Sequence, residues 1–155
     1  MKDGVLTKKE IEAMRKADLV AMVKELYICD CQKITGPSDV SQVLRSKIGR
    51  SKQEHFLAIY VDGANNVIET KVIFKGTLNK CIVHPREVFA PAFELRAGAV
   101  IIGHNHPSGN MEPSFEDISM TKKLTEAGNI LGIEILDNVI FTDTSYYSFK
   151  TNGKI

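Results

Sequence analysis

A short and wholly apolar run, AGAVIIG at residues 97–103, constrains the fold of this chain more than any other feature. The run has neither the polar alternation of a half-buried strand nor the spacing of an amphipathic helix. Such runs are typical of central strands whose two faces are both covered, as in sheets with helices on each side. The sequence therefore predicts a strand over Ala97–Gly103 in the middle of a layered domain.

The chain before this strand carries signals for a hairpin and a helix. Residues rich in β-formers predict strands over Glu54–Val61 and Val67–Phe74, and the polar cluster Asp62–Asn66 predicts the turn between them. Pro85 suits the first turn of a helix. Pro91 is expected to kink or end that helix, because proline lacks the N–H that the helical ladder needs.

The chain after the apolar strand carries signals for a long helix and two more strands. Apolar residues at helical spacing predict a helix over about Phe115–Leu131, which Gly132 ends. Further strands are expected over Ile133–Leu136 and Val139–Thr142. The order of these elements predicts an α/β (α+β) domain, in which a mixed β-sheet is flanked by helices.

The first 49 residues are interpreted as a short lead before a domain of residues 50–155. Within this lead, Thr7 and Glu10 have the spacing of a capping box. The stretch Val23–Ile28 fits a helix and a strand equally well, and the sequence leaves the two alternatives open.

A second helix of the lead is predicted over Asp39–Lys47. Ser38 is its candidate N-cap after the break at Gly36 and Pro37, and Gly49 is its expected stop. The stronger signals of the domain begin where this helix ends.

Composition and charge limit the classes of protein to which the chain can belong. Apolar residues make up 43% and charged residues 25%, which is typical of a globular protein. The chain has 20 basic and 19 acidic residues, and residues 51–155 hold 10 basic and 12 acidic side chains. Because no basic stripe is present to neutralise phosphates, direct binding of nucleic acid is not expected.

Other classes are excluded by what the sequence lacks. No stretch approaches the ~20 apolar residues of a membrane helix, and the N-terminus alternates charges where a signal peptide would be apolar. The three cysteines are too few for a disulfide scaffold. A reducing cytoplasm is therefore the expected location.

Two histidines directly follow the apolar strand. His104 and His106 are two residues apart, so an extended backbone points both side chains to the same side. Two imidazoles on one side make half of a zinc site, and Asp117 is a candidate third ligand from the start of the next helix. Two nitrogens and one oxygen leave the fourth position open for water, which is typical of catalytic zinc.

A structural interpretation competes with this one. Ser114 and Asp117 also have a spacing close to that of a capping box, which is the commoner role of such a pair taken alone. The joint pattern His-x-His-x7-Ser-x2-Asp favours the metal site, because so long a pattern rarely arises by chance in a chain of this composition.

The full pattern resembles the JAMM motif of the JAB/MPN-plus metalloproteases. The surrounding letters, HNHPSG followed by PSFED, resemble the bacterial RadC branch of that family. The resemblance extends from about Gly49 to the C-terminus and implies the JAB/MPN fold, which is similar to that of the cytidine deaminases. Two features depart from the RadC pattern: Asn138 stands where a histidine is usual, and Pro91 is unusual in its helix.

The resemblance assigns roles to five residues. It makes His104, His106 and Asp117 the ligands of Zn²⁺. It makes Ser114 a catalytic residue that helps to stabilise the oxyanion. Glu54 matches the glutamate that hydrogen-bonds the zinc-bound water and shuttles its proton, a role that the residue pattern alone does not indicate.

The resemblance thus predicts a zinc metallopeptidase or isopeptidase that hydrolyses a peptide or isopeptide bond through a zinc-bound water. The expected partner is an unidentified protein or peptide substrate. Two alternatives stay open: a DNA-repair accessory or protein-binding module of the RadC type, and an inactive scaffold with the JAB fold. Exposed edge strands of the mixed sheet are also consistent with a homodimer.

Overall fold

The computed structural model describes residues 32–76 and 83–155 of the chain. The predictions for Thr7, for Glu10 and for the stretch Val23–Ile28 lie outside the described residues. The same holds for the three cysteines, Cys29, Cys31 and Cys81.

The described residues form three α-helices and five β-strands. In chain order these are α1 (Pro37–Ile48), β1 (His55–Val61), β2 (Val67–Lys75), α2 (Pro85–Glu94), β3 (Ala99–Asn105), α3 (Phe115–Leu131), β4 (Glu134–Phe141) and β5 (Tyr146–Ser148). None of these three helices is long and apolar enough to cross a membrane.

The five strands form one mixed sheet with β3 at its centre. The strand order is β2-β1-β3-β4-β5, and every neighbouring pair is antiparallel except β3 and β4, which are parallel. All seven residues of β3 are buried. The predicted central strand and the predicted α+β class are therefore confirmed.

Each face of the sheet is covered by helices, because side chains of the central strands alternate between two apolar clusters. On one face, Leu44 of α1 packs with residues of β1, β3 and β4 that include Leu57, Ile101 and Phe141. On the other face, Phe89 of α2 and Leu124 of α3 pack with a second set from the sheet, namely Phe56, Ala58, Tyr60, Val100, Ile102 and Ile135. The helix α3 connects β3 to β4, and the predicted ligands His104, His106 and Asp117 lie between the end of β3 and the first turn of α3.

Gly103 lets α1 and β4 approach β3 closely. A Cβ atom at this position would lie 2.5 Å from Leu44 Cδ1 and 2.6 Å from the carbonyl oxygen of Val139. Such distances are well inside van der Waals contact, so any side chain here would force the helix or the neighbouring strand to move.

We therefore expect Gly103→Ala to lower the free energy of unfolding by about 1–3 kcal/mol through overpacking. The change is measured by urea denaturation followed by circular dichroism. Gly63→Ala is the control, since nothing lies within 4 Å of a Cβ at that position and its φ is not positive. Equal effects of the two substitutions would contradict the packing argument.

The ends of α1, α2 and β3 differ from the predicted ends. The N-cap of α1 is Gly36 rather than Ser38, because Pro37 takes the first helical position. The helix α2 continues past Pro91 to Glu94, so Pro91 does not end it. The strand β3 begins and ends two residues later than predicted and includes His104, which pairs with neighbours on both sides.

The two strands predicted after α3 are a single strand, β4. Asp137 and Asn138 lie in its middle and are buried, although polar neighbours of this kind favour a turn in the sequence. The Asp137 carboxylate accepts hydrogen bonds from Ser148 Oγ at 2.6 Å and from the backbone N–H of Lys150 at 3.0 Å. These partners from β5 and the turn after it allow a carboxylate to be buried inside a strand.

Candidate metal centre

His104 and His106 bring two ring nitrogens together at the carboxyl end of β3. The His104 side chain is completely buried, and its Nε2 lies 3.1 Å from His106 Nε2. Both side chains point to the α3 face of the sheet, because residues two apart in a strand share a face. The sequence prediction that these two imidazoles share one side is therefore confirmed.

The two rings differ in how their second nitrogen is held. His106 Nδ1 lies 2.7 Å from the carbonyl oxygen of Asn110. A carbonyl only accepts hydrogen bonds, so Nδ1 is the donor of this contact, and Nε2 is the nitrogen that faces His104 and can bind a metal ion. His104 Nδ1 is buried and has no hydrogen-bond partner among the described residues.

Asp117 lies against both histidines from the first turn of α3. Its Oδ1 is 3.1 Å from His104 Nε2, and its Oδ2 is 3.7 Å from His106 Nε2. Ser114 is the N-cap of α3: its hydroxyl accepts from the Asp117 N–H, and both its hydroxyl and its N–H donate to Asp117 Oδ2. The capping box predicted as the structural alternative is therefore present, and it coexists with the approach to the histidines.

The Asp117 carboxyl is buried and yet favours its ionised form. Burial opposes ionisation, but hydrogen bonding to His104, the charge of His104 and two hydrogen bonds from Ser114 outweigh it. Together they hold the pKa of Asp117 well below its usual range. At neutral pH the side chain is therefore a carboxylate, the form that binds metal ions.

Glu54 approaches the same two histidines from the segment before β1. One of its carboxylate oxygens and the ring nitrogens of His104 and His106 all lie within 4.8 Å of one another. Phe56 pairs with His104 across β1 and β3, so Glu54, two residues earlier, lies on the same face just before β1 begins. Glu54, His104 and His106 are thus close enough to hold a metal ion.

The distances between these atoms fit a small divalent ion. Ligands about 2.0–2.1 Å from a tetrahedral zinc ion lie about 3.3 Å from one another. His104 Nε2 lies 3.1 Å from His106 Nε2 and 3.1 Å from Asp117 Oδ1, which is close to that value, and the other oxygen of Asp117, Oδ2, lies 3.7 Å from His106 Nε2. The two ring nitrogens and the ionised carboxylate are also donors that zinc prefers.

Asn105 fixes the backbone on both sides of Glu54. Its Oδ1 accepts from the N–H of His55 at 2.7 Å, and its Nδ2 donates to the carbonyl of Gln53 at 2.9 Å. Because Asn105 lies between His104 and His106 at the end of β3, the same segment positions the histidines and the glutamate.

We expect Asn105→Ala to lower the free energy of unfolding by about 1–3 kcal/mol, since it leaves the buried N–H of His55 without its partner and removes one of the two contacts of the Gln53 carbonyl. The measurement is urea denaturation. Asn152→Ala is the control because its amide donates to the Ser148 carbonyl at the exposed C-terminus, and a change within about 0.5 kcal/mol is expected there. A similarly small loss for Asn105→Ala would show that this amide does not hold the Glu54 segment.

Sequence reasoning missed a buried hydrogen-bond chain behind Asp117. Thr121 Oγ1 donates to the Asp117 carbonyl at 2.6 Å, and Asn138 Nδ2 donates to Thr121 Oγ1 at 2.7 Å. This chain joins the first turns of α3 to β4. The only signals were the four-residue spacing of Thr121 from Asp117 and the departure from the family pattern at Asn138.

The other two histidines lie outside the cluster. His84 is the N-cap of α2, and its Nδ1 accepts from the N–H of Arg86. His55 is buried at the start of β1, where its Nδ1 lies 2.9 Å from the Gln53 carbonyl. Both have structural roles.

Two clefts open onto the cluster. One, of about 650 Å³, is lined by Glu54, Ser114 and Asp117. The other, of about 670 Å³, lies between the end of α1 and the turn after β4. Lys52, His106 and Pro107 line both clefts, so they meet at His106.

Comparison with protein families gives one match over most of the chain. The family described as the RadC-like JAB domain matches residues 34–154. The match begins before α1, which the sequence analysis placed in the lead, and ends at the last turn of the chain. The division into residues 1–49 and 50–155 stays a prediction.

Individual proteins are similar to this chain in sequence over 121 residues or more. A UPF0758 protein of Staphylococcus haemolyticus is 47% identical over 121 residues, which are 78% of this chain and 53% of the relative. A UPF0758 protein of Geobacillus is 41% identical over 152 residues, which are 98% of this chain and 67% of the relative. The chain thus spans about half to two thirds of the length of these relatives, and their names state no activity.

Proposed function

Because the chain belongs to the RadC-like JAB domain family, we propose that it is a zinc-dependent metallopeptidase or isopeptidase of the JAMM type. The observation that carries the proposal is the convergence of the Glu54 carboxylate with His104 and His106 at the end of the central strand. The proposed substrate is a protein or peptide that reaches this cluster through the two clefts.

His104, His106 and Asp117 would hold the zinc ion. When bound there, zinc would lower the pKa of a coordinated water to about 7 and polarise the scissile carbonyl group. Burial of His104 and Asp117 supports this assignment, because a dry site strengthens each electrostatic contact. The hydrogen bonds of the capping box would hold the Asp117 side chain in one orientation without a bound metal ion.

Glu54 would act as the general base and then as the general acid. One of its carboxylate oxygens lies within 4.8 Å of a ring nitrogen of each histidine, which would put it within reach of an attacking water. It would take the proton from that water and later give it to the departing amine. Asn105 would hold Glu54 in place for both transfers through the backbone at Gln53 and His55.

Ser114 would act first through Asp117. Its hydroxyl donates to Asp117 Oδ2 at 2.6 Å, so it orients the carboxylate that holds the metal. The predicted contribution of Ser114 to the oxyanion requires this hydroxyl to turn from Asp117 to the substrate oxygen. We propose this turn as the step that follows substrate binding.

The proposal is tested by incubating the zinc-loaded protein with a proteome-derived peptide library and identifying new termini by mass spectrometry. Cleavage is expected in the wild type and is expected to disappear with a chelator and in the His104→Ala/His106→Ala variant. Cleavage that persists in both would assign the activity to a contaminant. A zinc-loaded protein that cleaves neither peptides nor isopeptide-linked conjugates would favour a binding module with the JAB fold.

A further inference from the structure

The cleft of about 670 Å³, which we call the Arg45 cleft, is lined mostly by residues that the proposed hydrolysis does not use. Its walls are the end of α1 with Arg45, the segment Arg50–Lys52 and the turn Thr142–Ser145. It meets the Glu54 side of the centre at His106 and Pro107. A chain held in the Arg45 cleft would therefore lead directly to the proposed scissile bond.

Arg45 is a fixed and partly buried cation in this cleft. Its Nε donates to the carbonyl of Thr142 at 2.7 Å, and its Nη2 donates to the carbonyl of Ser145, also at 2.7 Å. Both acceptors are neutral, and no ion pair of the described residues includes Arg45. The guanidinium is thus oriented by the protein while its charge is not matched by a carboxylate.

The rest of the lining adds positive charge. Arg50 and Lys52 are exposed at the mouth of the cleft, and Asp143 is the only carboxylate among the described lining residues. Asp143 lies 3.8 Å from Arg50 with both side chains in solvent, so their attraction is weak. Three cations against one anion stand out in a chain that has 20 basic and 19 acidic residues.

We propose that the Arg45 cleft binds a carboxylate of the substrate peptide, so that the enzyme selects acidic sequences beside the bond that it cleaves. Arg45 donates Nε–H and one N–H of Nη2 to carbonyls, so Nη1 and the second N–H of Nη2 remain for a carboxylate, which they can bind through two parallel hydrogen bonds. Arg50 and Lys52 would attract the acidic segment toward the cleft. The choice of an acidic substrate rests on the proposed function, whereas the binding itself requires neither metal nor turnover.

The test measures peptide binding to chelator-treated protein by fluorescence anisotropy. The probe is fluorescein-labelled Gly-Gly-Glu-Glu-Gly-Gly with an amidated C-terminus, and its twin carries Gln in place of Glu. We expect the Glu peptide to bind about five- to tenfold more tightly than its twin at low salt. A third, all-Gly peptide with a free C-terminus shows whether a terminal carboxylate is recognised in place of a side chain.

Variants locate the binding in the cleft. Arg45→Gln is expected to abolish the preference for Glu, and Arg50→Gln, which disturbs no buried contact, is expected to weaken it about two- to threefold. Lys123→Gln on α3 is the control, since it changes the net charge equally and lies outside the cleft. If Arg45→Gln fails to fold, the Arg50→Gln variant and the comparison of the Glu and Gln peptides still test whether the cleft binds a carboxylate.

Three outcomes would overturn the inference. The first is equal binding of the Glu and Gln peptides to the wild type. The second is an equal loss of binding in Arg50→Gln and Lys123→Gln, which would indicate a non-specific charge effect. The third is displacement of the Glu peptide by single-stranded oligonucleotide at lower concentration than by unlabelled peptide, which would indicate a nucleic-acid site. None of these depends on hydrolysis, so the proposed function is judged separately by the cleavage experiment.

Discussion

Glu54→Gln is expected to lower turnover by about 10²–10⁴-fold while the protein keeps its metal ion. The amide has nearly the same shape as the carboxylate, but it cannot accept the proton of the attacking water. The effect is measured as the rate of cleavage of a peptide identified with the wild type, together with the metal content of both proteins. This pair of measurements separates loss of the base from loss of the ion.

Glu134→Gln is the control for this variant. Glu134 is exposed and pairs with Ala99 at the opposite end of the parallel strands, so its loss should leave turnover unchanged. Full turnover in Glu54→Gln would remove Glu54 from the mechanism. Loss of the metal ion from Glu54→Gln would instead make Glu54 a ligand, a role that its distance from the histidines also allows.

Asp117→Asn is expected to weaken zinc binding by more than about 100-fold, because the loss of a ligand should exceed the 10- to 100-fold cost of losing an outer partner. Asparagine keeps the shape and can still accept a hydrogen bond at the start of α3, so the helix should remain capped. The measurement is competition for zinc with a coloured chelator. Thermal unfolding of the metal-free variant shows whether the fold persists.

Glu116→Gln is the control for the effect of charge at this helix terminus. Glu116 lies in the same first turn of α3, but its side chain is exposed. We expect it to change zinc affinity less than about threefold, as a screened surface charge would. Equal losses from both variants would attribute the effect of Asp117 to the electrostatics of the helix terminus rather than to coordination.

The parts of the fold that the sequence predicted well have strong local causes. The helix α3 has the predicted bounds, because Ser114 caps its start and Gly132 adopts the left-handed conformation after its end. The central strand was evident from an apolar run that cannot lie at a surface. In α3 and in β3, the local preference of the sequence and the tertiary packing favour the same structure.

The errors arose where distant partners decide the structure. The sequence predicts two strands with a break at Asp137 and Asn138, where the structure has the single strand β4. The buried partners of these two residues, Ser148 and Thr121, are 11 and 17 residues away along the chain. Likewise, β3 continues through His104, since β1 and β4 both pair with it. No pattern within a single segment reports such pairings.

In the candidate site, too, some features follow from a local sequence pattern and others depend on distant partners. The spacing of His104 and His106 indicated a shared face from strand geometry alone. Glu54 was found only through the resemblance to a family, because a single glutamate before a strand carries no local signal. Its place beside the histidines follows from the register of β1 against β3, in which Phe56 pairs with His104. Nothing within the β1 segment itself specifies that register.

The metal content of the protein purified without added metal tests the central claim most directly. Plasma mass spectrometry should find about one zinc per wild-type chain and none in the His104→Ala/His106→Ala variant. His84→Asn serves as the control, since it removes an imidazole outside the cluster and keeps a good N-cap for α2. A wild type without metal even after zinc is offered, or a double variant that retains it, would contradict the account.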